Sequence, residues 1–270
     1  MTNHFFILIS TIPSFFVSAL LVIYSVVHWV LVPRDRSRAE TLLLASVAAV
    51  PGIYLAGIIN NKMDVIFPLK YDLFIYWIDG YFSQPSFWLG RFAEHHPTFY
   101  WLIFEAYALL PIMIIGVFGV YLWCGREGEA PRIARTFILN LILGLPFYAL
   151  IPVCGPAFCF PGYPLLQAAS SAPHLVAIHG APNGIPSVHT STALLIFWFL
   201  RHWRLGRYAG ISFLILTVLA TLGLGQHYLF DLLCAIPYAI GIYYLGKVDW
   251  TKPKKSTDIN APRIAETTAV

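Results

Sequence analysis

Residues 187–246 read SVHT STALLIFWFL RHWRLGRYAG ISFLILTVLA TLGLGQHYLF DLLCAIPYAI GIYYLG. Three apolar runs, 187–203, 208–226 and 229–246, are separated by short polar breaks. A membrane helix needs about 20 mostly apolar residues, so each run is a candidate span. The polar residues cluster at the ends: His189 opens the first run, while His227 and Asp231 sit at the junction of the second and third. His189 and His227 are 38 residues apart. At ~1.5 Å rise per residue that is one pass out and one pass back across a core of roughly 30 Å, so both imidazoles return to the same face.

The rest of the chain has the same character. It is 58% hydrophobic and 11% charged with mean hydropathy +0.70, whereas soluble domains carry about 25% charged residues. Segments 5–32, 40–59, 98–123 and 134–153 bring the candidate spans to seven. The expected fold is an all-α integral membrane bundle of about six to seven transmembrane helices with short interfacial helices on the outer face. No polar block is long enough to fold separately, so 1–250 reads as one transmembrane catalytic domain, with 135–245 carrying the motifs. Residues 251–270 read as a disordered cytoplasmic tail, although its lysines could touch anionic lipid. No basic n-region precedes the first apolar run, so it is expected to remain as a helix. Nothing suggests nucleic-acid binding, and the spacing of Cys124, Cys154, Cys159 and Cys234 is not that of a zinc site. Neither metal nor cofactor is expected. Cys154 and Cys159 could bridge in an oxidising compartment, but free thiols fit their apolar surroundings better.

Orientation follows from Lys and Arg in the connections. Arg34, Arg36, Arg38, Arg126, Arg132, Arg135, Arg201, Arg204, Arg207, Lys247, Lys252, Lys254, Lys255 and Arg263 make 14 of the 17 basic residues, and with seven spans all lie on one side. The positive-inside rule makes that side cytoplasmic. The N-terminus and both histidines are then exoplasmic, with the C-terminus cytoplasmic. The outer segment 60–97 mixes aromatic and charged residues, as expected of interfacial helices. Residues 154–186, rich in Pro, Gly and Ala, read as a loop.

The chemistry follows from the helix ends. Ser187 is a plausible N-cap, and the backbone N–H groups beyond it form an anion site of the kind that binds phosphate. His189 lies in that first turn, where it can donate a proton to a leaving oxygen. Asp231 follows His227 at i+4, on the same helical face, and can accept from one ring nitrogen while leaving the other free. A histidine so oriented is a competent nucleophile toward phosphorus. Glu105, inside an apolar span, is a functional candidate by default, balanced against a packing role with Tyr107.

Pro186-Ser187-Val188-His189 and His227-Tyr228-Leu229-Phe230-Asp231 resemble the second and third signature motifs of the type 2 phosphatidic acid phosphatase superfamily. Within it, Thr221 through Asp231 and the helix end Ile151-Pro152-Val153-Cys154-Gly155-Pro156 are most similar to the inositol phosphorylceramide synthase-like branch. The resemblance covers roughly residues 135–245 and, weakly, 60–135. It implies that His227 attacks phosphorus and becomes transiently phosphorylated. Asp231 would orient and stabilise that imidazole, and His189 would protonate the leaving alkoxide. Ser187, Thr190 and Gln226 are the expected substrate-binding residues, together with Lys70 and Arg91 as outer-face cations.

The departures bear on substrate. Phosphatase members carry Ser-Arg where this chain has Ala220-Thr221, and no Lys here is followed seven residues later by Arg-Pro. Fewer cations suit a phosphodiester donor, which carries less charge than a monoester. The expected function is therefore transfer of a phosphoryl or phospho-headgroup from a phospholipid or polyprenyl phosphate, with a hydroxylated lipid as possible acceptor. The alternative in the same class is a polyprenyl-phosphate or phosphatidate phosphatase. A non-enzymatic lipid transporter or scaffold is the alternative of another class, disfavoured because the polar cluster lies at one interface and not at the midplane.

Overall fold

The computed structural model describes residues 2–32, 36–49, 51–166 and 175–248; the expected tail at 251–270 lies outside them. Among the described residues twelve α-helices follow in order: α1 (Thr2–Leu31), α2 (Arg36–Ala49), α3 (Pro51–Ile66), α4 (Asp72–Asp79), α5 (Pro85–His95), α6 (Pro97–Ala108), α7 (Leu110–Trp123), α8 (Ala130–Leu150), α9 (Pro156–Cys159), α10 (Val188–Leu200), α11 (Arg204–Gly223) and α12 (Leu229–Lys247). A two-residue antiparallel ladder, β1 (Leu69–Lys70) with β2 (Val176–Ala177), ties the segment before α4 to the long loop.

By length and composition three described helical stretches are able to cross a bilayer: Glu127–Leu150, which contains α8, together with α11 and α12. The pair α6–α7 makes a fourth if taken as one bent span. Of the other three segments expected to span, 5–32 contributes the shorter apolar helix Ala19–Leu31 among the described residues, 40–59 is divided and 187–203 is short. Residues 40–59 are split between α2 and α3 where Pro51, lacking a backbone donor, opens a new helix. α10 has 13 residues, about 20 Å of helix. Residues 98–123 bend by 57° between Ala108 and Leu110, with Pro111 in the first turn of α7 as the cause.

α10 is the hub. It packs against α7, α8, α11 and α12, and its Leu195, Ile196 and Phe199 join Ile114, Val117 and Phe118 of α7 and Ile133 and Phe137 of α8 in the largest apolar core. Around it, large apolar side chains such as Ile215, Ile236, Ile240 and Tyr244 stand exposed on the outside of the bundle, the surface expected of helices bathed in lipid. A second core, Ile75, Tyr76, Phe87, Val153, Phe160, Ile185 and Tyr228, binds α4 and α5 to the loops on either side of α9 and to the start of α12. These short outer helices thereby become walls around the ends of α10 and α12.

Candidate active site

α10 begins where the sequence places an N-cap. Ser187 is extended (φ −64°, ψ 105°) and its Oγ accepts from the Thr190 N–H at 3.3 Å, while the same hydroxyl donates to Thr190 Oγ1 at 3.0 Å. The Thr190 N–H is thus taken by the expected Ser187 cap. The Ser187 N–H donates to the Asp231 carbonyl at 3.3 Å, joining the first turns of α10 and α12. His189 follows one residue into α10. Its ring stacks on Tyr107 (centroids 4.1 Å, 17° between planes), which α6 presents just before its bend.

His227 hangs from the α11–α12 connection, whose turn is held by one acceptor: the Thr221 carbonyl takes the N–H groups of Gln226 at 3.0 Å and His227 at 3.1 Å. Its Nδ1 lies 3.3 Å from Asp231 Oδ2. The same oxygen accepts from the Tyr228 N–H at 2.9 Å, so Asp231 both caps α12 and faces the imidazole. Asp231 is fully buried, and its Oδ1 has no hydrogen-bond partner among the described residues. The His189 and His227 ring centroids are 6.3 Å apart, with 58° between their planes. Burial pushes the His227 imidazole down to about 3, which keeps it neutral near pH 7.

Two buried carboxylates of α4, taken in the sequence for interfacial residues, hold this loop system together. Asp72 accepts from the N–H groups of Cys154 at 3.0 Å and Gly155 at 2.8 Å and from the Tyr228 hydroxyl at 3.2 Å. Asp79 accepts from the N–H groups of Leu229 at 2.8 Å and Phe230 at 3.0 Å. They stand seven residues apart, two turns along one face of α4, and that spacing in an aromatic segment is the signal that could have identified them. Burial raises both carboxyls to about 6, with the Asp231 charge adding to the shift and the backbone N–H groups opposing it. Gly155 adopts φ +108°, and a Cβ there would overlap the Gln226 carbonyl oxygen. Only glycine lets the two loops approach so closely.

Other expected binding residues are placed differently. Gln226 is half-buried beside His227. Lys70 is fully buried, donating to Asp64 Oδ1 at 2.9 Å and to the Phe67 carbonyl, and Arg91 lies over the face of Trp88, 4.2 Å from its ring centroid. No described contact joins either cation to the two imidazoles, and no Lys or Arg among the described residues pairs with Asp72, Asp79 or Asp231. Glu105 is exposed on α6. Cys154 and Cys159 are free thiols. No cluster of three or more potential metal ligands occurs among the described residues.

A second layer supports α10 from α8. Asn140 donates to Thr192 Oγ1 at 2.9 Å and accepts from Ser191 Oγ at 2.8 Å, and the Tyr148 hydroxyl donates to the Pro186 carbonyl at 3.3 Å. A helix recorded in the sequence only as apolar is thus fixed in rotation by buried polar side chains. In comparisons with known proteins, the family model of the PAP2 superfamily matches residues 80–245. No curated protein and no solved structure matches the chain.

Proposed function

Because the chain belongs to the PAP2 superfamily, whose members are phosphatases or phosphotransferases, we propose that it transfers a phosphoryl or phospho-headgroup from a lipid-linked phosphoester through a phosphohistidine on His227. The observation that carries this reading is the 6.3 Å gap between the His189 and His227 rings, with Asp231 behind one of them. In the proposed first step Nε2 of His227 forms a bond to phosphorus as the P–O bond to the lipid alcohol breaks. His189 gives its proton to the departing oxygen. An anionic phosphoryl oxygen beside His189 favours the protonated imidazole that this step needs. In the second step an incoming hydroxyl returns its proton to His189 while its oxygen displaces Nε2.

Charge favours a diester donor. Three carboxylates surround the histidine loop, and the first-turn N–H groups, Thr190 and Gln226 are the nearby donors to phosphoryl oxygens. Lys70 and Arg91 are committed to Asp64 and Trp88, and we assign them to the headgroup side, away from the phosphorus. A singly charged phosphodiester suits such a site better than a doubly charged monoester, which supports an activity similar to inositol phosphorylceramide synthase over a plain phosphatase. The distribution of basic residues supports an exoplasmic site.

The experiment is a two-armed assay of purified protein in liposomes. Phosphodiester lipid is supplied with and without a hydroxylated lipid acceptor, and polyprenyl phosphate or phosphatidate is supplied alone. A new phosphodiester that appears only with acceptor, and is lost in His227→Ala and His189→Ala, is the expected result. Release of inorganic phosphate from the monoesters without acceptor replaces it with the phosphatase reading. Unchanged lipid turnover in both folded variants removes the enzymatic reading.

A further inference from the structure

A cavity of about 160 Å³ opens beside His189. Its lining combines polar residues, Asn60, Asn183, Tyr148 and Thr192, with apolar ones, Ala48, Ile114, Phe137 and Leu141. The cavity runs along α8 from Tyr148 to Phe137, eleven residues or about 16 Å of helix. Within it Asn60 is 8% exposed, and its Oδ1 has no hydrogen-bond partner among the described residues. An orphaned buried amide oxygen costs stability unless something donates to it. Asn140 shows the contrast, since both ends of that amide are satisfied.

We infer that this cavity is the alcohol subsite of the reaction, built for an apolar alcohol whose reacting oxygen faces His189 and whose second donor, a hydroxyl or amide N–H, binds Asn60 Oδ1. This rests on the phosphotransfer reading of the histidine pair. The group that exchanges a proton with His189 in each half-reaction is an alcohol oxygen, so leaving and incoming alcohols occupy the same place in turn. His189 is itself part of the cavity lining. An apolar cavity near 150 Å³ holds a benzene-sized ligand, so roughly six carbons of chain fit before the remainder must extend into lipid. The proton balance is unchanged from the mechanism above; what the cavity adds is selection of which alcohol accepts.

The test uses the full-length protein in liposomes with phosphodiester lipid as donor and a series of acceptors, primary n-alkanols and the matching 1,2-diols, with transfer to water measured in the same tubes. Expected is a rise in acceptor kcat/KM of about fourfold per methylene that stops near six carbons, and a diol preference of roughly tenfold. Asn60→Leu abolishes the diol preference and leaves the unfolding midpoint unchanged or higher, because it removes an unsatisfied oxygen. Leu141→Phe and, as a second filling variant, Ala48→Leu shorten the optimal acceptor chain, read as the ratio of transfer to alkanol over transfer to water, in which any effect on the shared first step cancels. Photolabelling by a diazirine-bearing alkanol, done on wild type and on His227→Ala, locates the site without needing turnover. Labels on the cavity-facing parts of α3 and α8 are expected, suppressed by Leu141→Phe.

Transfer activity whose chain-length and diol preferences are untouched by all three variants, or labels spread evenly over the lipid-facing helices, overturns the subsite and leaves the phosphotransfer reading standing. A cavity that holds water only shows neither chain-length dependence nor labelling, with the same consequence. Specific labelling without any turnover keeps the alcohol site and removes the reaction.

Discussion

Asp79 caps a helix that begins 150 residues later in the chain, its two carboxylate oxygens 2.8 and 3.0 Å from the N–H groups of Leu229 and Phe230. Helix starts leave such donors unpaired, and here they are filled from a different element, so α4 fixes where α12 begins and hence where His227 and Asp231 stand. Asp79→Ala is expected to cost about 1–2 kcal/mol, lowering the unfolding midpoint in detergent and reducing turnover. Asp79→Asn, which keeps acceptor oxygen, is expected to fall between the two. Equal stability and activity in Asp79→Ala would show the cap to be idle.

Asp231 has two tasks that one substitution separates. In Asp231→Asn the amide oxygen still accepts from the Tyr228 N–H, so the helix start survives. The charge behind His227 does not. Turnover is expected to drop roughly 10²- to 10⁴-fold with little change in thermal stability, checked by initial rates alongside a melting curve. A loss of folding in this variant would instead make the carboxylate structural.

Stability should vary with pH through α4. Burial raises the Asp72 and Asp79 carboxyls from an ordinary 3.8 to about 6. Between those values the folded chain holds protons that the unfolded chain has lost, so stability falls as pH rises from about 4 to about 6, and is level above. The fall is at most about 3 kcal/mol per group. Melting curves across pH 4–8 should show this fall as the difference between wild type and Asp72→Asn/Asp79→Asn, because the His227 imidazole, pushed down to about 3, adds a rise of the opposite sign to both.

Tyr107 sets the tilt of His189 by stacking at 4.1 Å. Tyr107→Leu is expected to lower kcat roughly ten- to a hundredfold through misplacement of the ring, with KM nearly constant, while Tyr107→Phe retains the stack and most of the rate. A change confined to KM would assign Tyr107 to substrate contact.

Gly155→Ala is expected to lower both unfolding midpoint and activity, because its Cβ meets the Gln226 carbonyl and its φ is unfavourable for alanine. Gly119→Ala, in α7 where a Cβ meets nothing within 4 Å, is the control. It is expected to be neutral or stabilising by up to about 1 kcal/mol.

What the sequence made legible was local. The i+4 spacing of His227 and Asp231, the Ser187 cap and the two-pass interval from His189 to His227 are all properties of neighbouring residues or of helix rise, and the structure brings His189, His227 and Asp231 together. Asp72 and Asp79 were illegible because their partners, Cys154, Gly155 and residues 228–230, are distant in the chain; composition alone read them as headgroup-facing. Tyr107 reaches His189 from a helix that bends at Pro111, and a hydropathy window averages that bend away. Lys70 was read by its side of the membrane, when Asp64 six residues earlier was the nearer clue. The division at Pro51 was visible as a residue but outweighed by the apolar run around it.

The bond from Ser187 N–H to the Asp231 carbonyl at 3.3 Å makes the openings of α10 and α12 a single mechanical part. When a bilayer thickens or thins, spanning helices tilt and slide to match it, and a pair of groups on independent helices would be pulled out of register. Here His189 and His227 ride on coupled ends, so their spacing is insulated from the lipid around them even as the lengths of α8, α11 and α12 accommodate it.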